Sequence, residues 1–242
     1  MNHPFSIPHL LNLTRRLIWR AGLLALPRHW HLPLRYELDI RGACEQELLH
    51  LKKLGPNSGV AVDIGANAGV YSYALSRLYD TVYAFEPNEE VLPMLRAYRG
   101  GDIRVVARGL SDKAGETILH VPQVRGQDLT GWATLDPHVY PRVHDFRTLA
   151  VSIDTLDSYD LPAVSFIKID VEGLEPHVLE GARETIQRCR PHVLIEIKPD
   201  HLQRVHDFFS GYNYDIKRLN QITDAEPSGN NVVFTPRART EE

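Results

Sequence analysis

The stretch AVDIGANAGVYSYAL, residues 61–75, decides the fold. Its first residues form an apolar run typical of a buried strand, and the residues after Gly69 have the apolar spacing of a helix. Between the two lies a glycine-containing turn, which follows the acid Asp63. A strand, a tight turn and a helix are the first unit of an open α/β sheet, in which ligands bind beyond the carboxyl ends of the strands.

The turn departs from the dinucleotide-binding pattern. That pattern needs glycine at its first, third and sixth positions, which here are Gly65, Asn67 and Val70. Asn67 can adopt the left-handed backbone conformation, so the tight turn is retained, but Asp63 would repel a diphosphate. S-adenosylmethionine, which is positively charged and carries no phosphate, fits better, since the small residues between Gly65 and Gly69 leave room for its methionine portion.

A second acid follows the next predicted strand. Glu86 ends the strand at residues 81–86 and lies about 20 residues beyond the turn, the spacing at which an acid binds the ribose hydroxyls in nucleotide folds. A solvated carboxylate at the end of a strand is the alternative interpretation.

Strands and helices alternate along most of the chain, which predicts a parallel sheet with right-handed crossovers. The predicted strands are 59–64, 81–86, 102–108, 163–170 and 191–197, and the predicted helices are 69–79, 88–98, 175–189 with a break at Gly181, and 200–210. Strands at 212–219 and 230–235 follow without a helix between them, which indicates an antiparallel hairpin at the sheet edge. Two more strands, at 116–121 and 147–153, flank a polar loop at 125–145 that is long enough to be functional.

Four blocks of this pattern resemble the FkbM family of S-adenosylmethionine-dependent methyltransferases. They are VDIGANAGVYSYALS (62–76), VYAFEPN (82–88), VSIDTLDSY (151–159) and FIKIDVEGLEPHVLEGA (166–182). The resemblance implies a class I, Rossmann-like methyltransferase fold: a seven-stranded, mostly parallel sheet with an antiparallel terminal hairpin and helices on both faces. It also implies O-methylation of a hydroxyl on a sugar, a glycan or a secondary metabolite.

The turn, the strand ends and the resemblance together define the candidate cofactor-binding residues. They are Asp63, Gly65, Asn67, Gly69, Tyr71, Glu86, Pro87, Leu110, Ser111 and Asp170. The segment ARGLSD (107–112) departs from the family pattern, because Ala107 stands where members often carry Asn. Recognition of adenine is therefore expected to fall to residues near Leu110 and Ser111.

The candidate catalytic residues are Lys168, Asp170, Glu172 and Glu196. Lys168 and Asp170 share a face of their strand because of its two-residue period, and Asp170 is expected near the sulfonium or the acceptor. Glu172 is the expected base for the acceptor hydroxyl. Alternatively, Lys168 and Asp170 only pair with each other or cap the next helix. The carboxylates and His201 have the oxygen and imidazole groups that could ligate a divalent ion, but their spacing is no recognised metal signature and we predict no metal site.

The length, the charge and the N-terminal segment of the chain bear on its domain organisation, its partners and its location. The chain has 242 residues and a net charge of −4, which fits one large domain and gives no indication of nucleic-acid binding. Residues 7–26 have amphipathic helical spacing, so residues 1–50 are predicted to be a helical extension or lid on a methyltransferase domain at 51–242. We expect a cytoplasmic protein, with weak membrane-surface contact through this segment as an alternative. The oligomeric state is left open.

The sequence leaves two other functions possible, and it also leaves the role of one aromatic residue undecided. A nicotinamide-dependent oxidoreductase on a doubly wound fold is one alternative, and a non-catalytic member that binds the cofactor is the other. Trp132, in the segment TGWATL (130–135), either stacks on the face of a sugar acceptor or packs in the core.

Overall fold

The computed structural model describes residues 26–40, 46–223 and 230–238. The described strands are β1 Val60–Ile64, β2 Thr81–Phe85, β3 Ile103–Val106, β4 Gly109–Leu110, β5 Gly115–Val124, β6 Gln127–Asp128, β7 Phe146–Asp154, β8 Val164–Ile169, β9 His192–Glu196, β10 Tyr214–Arg218 and β11 Asn231–Pro236. The described α-helices are α1 His31–Ile40, α2 Gln46–His50, α3 Val70–Leu75, α4 Pro93–Ala97, α5 Glu175–Glu180, α6 Arg183–Cys189, α7 Leu202–Ser210 and α8 Leu219–Ile222.

The central sheet has seven strands in the order β10-β11-β9-β8-β1-β2-β3. The strands β9, β8, β1, β2 and β3 pair in parallel, whereas β11 is antiparallel to both of its neighbours. The predicted fold, with its terminal hairpin, is therefore confirmed. The strand order reverses between β1 and β8, and a crevice at such a point is where open α/β sheets bind ligands.

Apolar side chains cover both faces of this sheet, because adjacent residues of a strand point to opposite sides. On β8, Phe166 belongs to one buried cluster and Ile167 to another. The Phe166 cluster includes Leu75 of α3, and the Ile167 cluster includes Ile186 of α6 and Phe209 of α7. Burial on two sides fixes the register of the strands and therefore the positions of the residues at their carboxyl ends.

Two predicted helices are shorter than expected. The helix predicted at 88–98 forms only from Pro93, because proline lacks an amide hydrogen and is tolerated in the first helical turn but not in the interior. The helix predicted at 69–79 ends at Leu75, where the Ser76 hydroxyl donates to the carbonyl of Tyr73. The predicted break near Gly181 is confirmed, since α5 and α6 are separate helices.

The middle of the chain forms a second sheet that the sequence predicted only in part. Its four strands have the order β4-β7-β5-β6, and the long β5–β7 pair is antiparallel. The two strands expected here are present, but the predicted loop at 125–145 also contains β6 and two short 3-10 helices, Thr130–Trp132 and Pro137–Val139. We call residues 125–145 the insert loop.

The described part of the N-terminal region packs against the central sheet domain. Leu32 of α1 is fully buried beside Tyr73 of α3, and Leu48 of α2 belongs to the same cluster as Leu51. The amphipathic segment at 7–26 lies outside the described residues except for Leu26, so its role as a lid or membrane contact stays a prediction, as does the domain boundary at residue 50. Among the described residues, none of the helices combines the length and the apolar character of a membrane-spanning segment.

Candidate active site

The turn after β1 is shaped by backbone conformations that few residues tolerate. Gly65 has a φ of +80°, and a Cβ there would lie 1.9 Å from the carbonyl oxygen of Asp170. Asn67 has a φ of +48°, which confirms the predicted left-handed conformation. Gly65 therefore allows the ends of β1 and β8 to approach each other more closely than any other residue would.

The carboxylate of Glu86 is anchored by the backbone on both sides. Its Oε2 accepts the amide hydrogen of Asn67 at 2.8 Å, and its Oε1 accepts that of Asn88 at 2.8 Å. Burial raises the pKa of the Glu86 carboxyl to about 7, against the lowering effect of these two hydrogen bonds. A carboxylate offers about four lone-pair positions, so two remain available to a ligand with two adjacent hydroxyls.

A cavity of about 600 Å³, which includes space open to solvent, lies at the carboxyl ends of β1, β2 and β8. Six of the predicted site residues for the cofactor line it: Gly65, Asn67, Glu86, Pro87, Leu110 and Asp170. The predicted base Glu172 lines it as well. The charged residues in the described lining, Glu86, Asp170 and Glu172, are all acids.

Four predicted cofactor residues do not line this cavity. Asp63 is buried and accepts a hydrogen bond of 2.6 Å from the hydroxyl of Ser72 on α3. Ile64, the next residue of β1, lines the cavity instead, because neighbouring strand residues point to opposite faces of the sheet. Gly69 begins α3 in the left-handed conformation, and a Cβ there would lie 2.6 Å from Leu95, so this glycine serves packing of the turn.

The other two residues outside the lining are Tyr71 and Ser111. The ring of Tyr71 lies 4.2 Å from the Nζ of Lys168, a cation–π contact on the α3 side of the sheet. The carbonyl oxygen of Ser111 would lie 2.0 Å from a Cβ at Gly181, and its hydroxyl donates to Asp112. Ser111 therefore packs beneath the break between α5 and α6.

Beyond β8, acids and lysines pair in two groups. The Nζ of Lys168 lies 2.9 Å from the Oδ2 of Asp170. Because Asp170 also lines the cavity, the two residues form an ion pair at its edge. Glu172 has a φ of +49°, an unusual conformation for a non-glycine residue and a frequent mark of functional sites. Its Oε2 accepts a hydrogen bond of 2.6 Å from the Tyr140 hydroxyl and forms an ion pair with Lys198.

The second carboxylate oxygen of Glu172, Oε1, accepts no hydrogen bond from the part of the chain that the structure describes. Tyr140 and Lys198 thus hold one oxygen in place while the other remains available at the cavity. Thr134 adds a hydrogen bond of 2.7 Å from its hydroxyl to the Glu172 carbonyl, which fixes the strained backbone. The pKa of Tyr140 is raised by burial and by this carboxylate, so its phenol stays a proton donor.

Glu196 lies one strand further along the sheet. Ile169 and Ile195 pair in register, so Asp170 and Glu196 follow side by side at the ends of β8 and β9. Burial, reinforced by the charges of Asp170 and Glu172, raises the pKa of Glu196 to about 7. Glu196 does not line the cavity, but its ionisation changes the charge beside it near neutral pH.

The residues considered for a metal do not converge. His201 lies 2.7 Å from the Oε2 of Glu175, whose Oε1 accepts the amide hydrogen of Gly173. Among residues 26–40, 46–223 and 230–238, no group of three or more His, Cys, Asp or Glu side chains is arranged to hold a metal ion. His201 instead supports the turn that follows Glu172.

The insert loop supplies the wall of the cavity that sequence reasoning missed. Thr130, Gly131, Ala133, Thr134 and Leu135 line the cavity, and a Cβ at Gly131 would lie 3.6 Å from the side-chain nitrogen of Asn67. The loop is held by a bridge in which the backbones of His120 and Thr134 exchange two hydrogen bonds. The polar composition and length of 125–145 indicated a functional loop, but no local pattern indicated which of its residues face the site.

Trp132 does not pack in the core. The residue is 48% exposed. Its ring stacks on that of Tyr140, with the ring centroids 5.6 Å apart and the ring planes 13° from parallel. Because Tyr140 donates to Glu172, the indole is connected to the edge of the cavity through one aromatic ring. Trp132 itself is not among the residues that line the cavity, and its ring lies on Tyr140.

Comparison with known proteins identifies the family to which this site belongs. The methyltransferase FkbM domain matches residues 63–216, so the chain belongs to the FkbM methyltransferase family. The match begins at the end of β1 and ends within β10, so it includes every residue that lines the cavity.

Two of the proteins that are similar to the chain illustrate the likeness. Hexuronic acid methyltransferase AglP of Haloferax volcanii is 27% identical over 164 residues, which are 66% of this chain and 64% of that protein. The crystal structure of methyltransferase FkbM from Methylobacillus flagellatus is 18% identical, with a TM-score of 0.55 over 85% of this chain and 52% of that one. The chain thus spans about two thirds of its curated relative and about half of this solved structure.

Proposed function

We propose that the chain is an S-adenosylmethionine-dependent O-methyltransferase that acts on a hydroxyl of a sugar or glycan. The acidic lining of the cavity carries this proposal. The three charged residues of the described lining, Glu86, Asp170 and Glu172, favour a positively charged donor and disfavour a diphosphate. Membership of the FkbM family supports the same reaction class.

The residues at the cavity fit S-adenosylmethionine. Glu86 has two lone-pair positions left for the ribose hydroxyls after it accepts from Asn67 and Asn88. The backbone of Gly65 and Asn67 lines the space for the methionine portion, and Leu110 and Pro87 offer apolar surface for adenine. When bound, this cofactor supplies an electrophilic methyl group on a positively charged sulfur.

Glu172 is the proposed base for the acceptor hydroxyl. Its Oε2 is held by Tyr140 and Lys198, so its free Oε1 can accept the proton of a hydroxyl placed at the cavity. Asp170, fixed by its pair with Lys168, contributes negative charge beside the reacting centre. Much of the rate enhancement is expected from positioning, because orientation of the acceptor oxygen lowers the entropic part of the barrier.

Two observations support a sugar as the acceptor. The relative from Haloferax volcanii is named for its action on hexuronic acid, and the exposed ring of Trp132 offers a flat apolar surface of the kind that packs on a pyranose. Trp132 does not itself line the cavity, but Gly131 and Ala133 on either side of it do, so we expect a sugar that extends out of the cavity to pack on this ring.

The alternatives from the sequence receive less support. A nicotinamide dinucleotide would place its diphosphate beside Glu86 and Asp170, where no basic residue of the described lining compensates its charge. A non-catalytic protein would not need the ordered contacts of Glu172 with Tyr140 and Lys198.

Transfer of a labelled methyl group tests the proposal. The protein is incubated with methyl-labelled S-adenosylmethionine and separate pools of neutral and uronic-acid-containing glycans, and the products are analysed by mass spectrometry. A gain of one methyl group on a sugar oxygen is the expected result. If the protein binds the cofactor tightly but no glycan from any pool carries the label, the result would favour the non-catalytic alternative.

A further inference from the structure

Arg147 lies on β7 and joins two parts of the molecule that are far apart in the chain. Its Nη1 and Nη2 donate to the two carboxylate oxygens of Glu90 at 2.9 Å and 2.7 Å. Its Nε donates to Asp128 Oδ2 at 2.7 Å. A guanidinium held by a two-pronged carboxylate contact and a third bond has a defined orientation, unlike a single surface ion pair.

The Glu90 end of this contact leads directly to the predicted ribose-binding acid. The amide of Glu90 donates to the side-chain oxygen of Asn88 at 3.1 Å. The amide of Asn88 in turn donates to Glu86 Oε1 at 2.8 Å. Arg147 is therefore connected to the Glu86 carboxylate through one short turn, residues 86–90.

The Asp128 end leads into the wall of the cavity. Asp128 belongs to β6, accepts a second hydrogen bond of 2.8 Å from Gln123 on β5, and is followed by Leu129, whose amide donates to Pro122. The next residues, 130–135, supply most of the insert-loop side of the cavity. Arg147 therefore holds both the loop and the acid turn.

We propose that Arg147 is a positioning residue that fixes the insert loop against the turn carrying Glu86, and thereby sets the affinity of the cavity for its nucleoside ligand. The identity of that ligand rests on the proposed function. The proposed effect on the loop does not, because the contacts of Arg147 are made to side chains of the protein alone. Without them, the loop loses its one described ionic connection to the turn at 86–90 and the cavity wall becomes mobile.

Calorimetric binding of S-adenosylhomocysteine to the full chain tests the effect on affinity. Arg147→Met removes the charge and keeps much of the apolar stem, and we expect the dissociation constant to rise about threefold to tenfold, with Arg147→Lys in between. Arg237→Met is the control for loss of a surface arginine, since Arg237 forms a single exposed ion pair with Asp215 on β10, away from the cavity. It should leave the affinity unchanged.

A double-mutant cycle separates positioning from general stability. Glu90→Gln and Arg147→Met should weaken binding to a similar degree, and the double variant should be hardly weaker than either one. Thermal unfolding of the ligand-free variants should resemble that of Arg237→Met. Additive losses of affinity, or a loss explained by lower stability alone, would overturn the proposal.

Hydrogen exchange in the absence of ligand tests the loop directly. Amides of residues 127–135 should exchange at least about threefold faster in Arg147→Met, while those of β1 and β8 keep their rates. Unchanged exchange in this loop would contradict the proposal even if binding were altered. If wild-type protein fails to bind S-adenosylhomocysteine but the loop exchange still depends on Arg147, the proposed function fails and the positioning role stands.

Discussion

The two sides of the cavity are built by different means. On the proposed donor side, the turn at 65–67 and Glu86 depend on backbone: a carbonyl that leaves no room for a Cβ at Gly65, and two amide hydrogens that hold one carboxylate. On the proposed acceptor side, Glu172 and Trp132 depend on side chains from separate elements, including Tyr140 and Lys198.

This difference affects how well each side of the cavity tolerates residue substitutions. A contact made by backbone atoms needs a particular conformation and permits few residue types, whereas a contact between side chains can be replaced by another pair of similar reach. We therefore expect the donor side to fail abruptly when altered and the acceptor side to lose activity or specificity in smaller steps.

The largest effect is expected on the donor side, from Gly65→Ala. The added Cβ would lie 1.9 Å from a backbone carbonyl that cannot move without displacing β8, so binding of S-adenosylhomocysteine should be abolished and stability should fall by roughly 2–4 kcal/mol. Gly126→Ala is the matched control, since Gly126 also has a positive φ but has open space around it. It should cost only about 1 kcal/mol of conformational strain. Equal behaviour of the two variants in calorimetry and urea unfolding would remove the contrast.

Glu172→Gln should separate chemistry from donor binding. The amide keeps the shape of the side chain but cannot take a proton, so methyl transfer to glycans should fall about 100-fold. Affinity for S-adenosylhomocysteine should change less than about threefold, because Glu172 contributes charge rather than a ribose contact. The exposed Glu180→Gln provides the control for loss of a surface charge. A Glu172→Gln enzyme of normal rate would assign the proton to another group.

Glu86→Gln should act on the donor alone. Loss of the charged acceptor for two hydroxyls should weaken S-adenosylhomocysteine binding by roughly 10- to 100-fold, as expected for hydrogen bonds to a charged group. Wild-type affinity should also fall as the pH is lowered from about 8 to about 6, because the pKa of Glu86 is about 7. The variant should lack this dependence, and calorimetry at several pH values measures both effects.

Ionisation of Glu86 is expected to strengthen donor binding but to lower the stability of the fold. The pKa of Glu86 is raised from 4.5 to about 7 in the folded protein, so its contribution to stability is complete below about pH 4.5 and is lost as the pH rises through about 7. Glu196, with a pKa also near 7, adds in the same direction. Ligand-free protein should thus resist urea less well at about pH 8 than at about pH 5. Donor binding should follow the opposite trend and be weaker at about pH 5. Parallel changes in the two quantities would refute this assignment.

The smallest effect is expected from Trp132→Ala on the acceptor side. Loss of one stacking surface should raise the KM for a glycan acceptor about fivefold to 20-fold, with little change in donor affinity. Trp30→Ala removes an equally exposed indole from the N-terminal side of the described chain and should leave KM unchanged. A change in donor affinity, with no change in the KM for the glycan, would instead assign Trp132 to the donor side of the cavity.

The turn and the acid of the proposed donor side could be predicted to lie at the cavity because their sequence signals are local. The strand, the turn with Gly65 and Asn67, and the acid at the end of the next strand are each visible from a few neighbouring residues, and the parallel sheet then brings them together. Asp63 was assigned to the cavity although it faces α3, because the direction of a side chain on a strand depends on register with neighbouring strands.

The acceptor side could be predicted only in part. Glu172 was found from the acids that follow β8, but its partner Tyr140 lies 32 residues away in the insert loop. No periodic pattern connects those two segments, and the antiparallel pairing of β5 with β7 that places the loop over the cavity is a long-range contact. Residues that meet only through such pairing are not visible in a local sequence pattern.

The central claim is that an acid-lined cavity beside Gly65 and Glu86 binds a phosphate-free, positively charged nucleoside donor. Calorimetric titration of the folded protein with S-adenosylhomocysteine, and separately with NADH, measures this directly. We predict saturable one-to-one binding of S-adenosylhomocysteine and no detectable binding of NADH. Folded protein that binds NADH, or that binds neither compound, would contradict the claim.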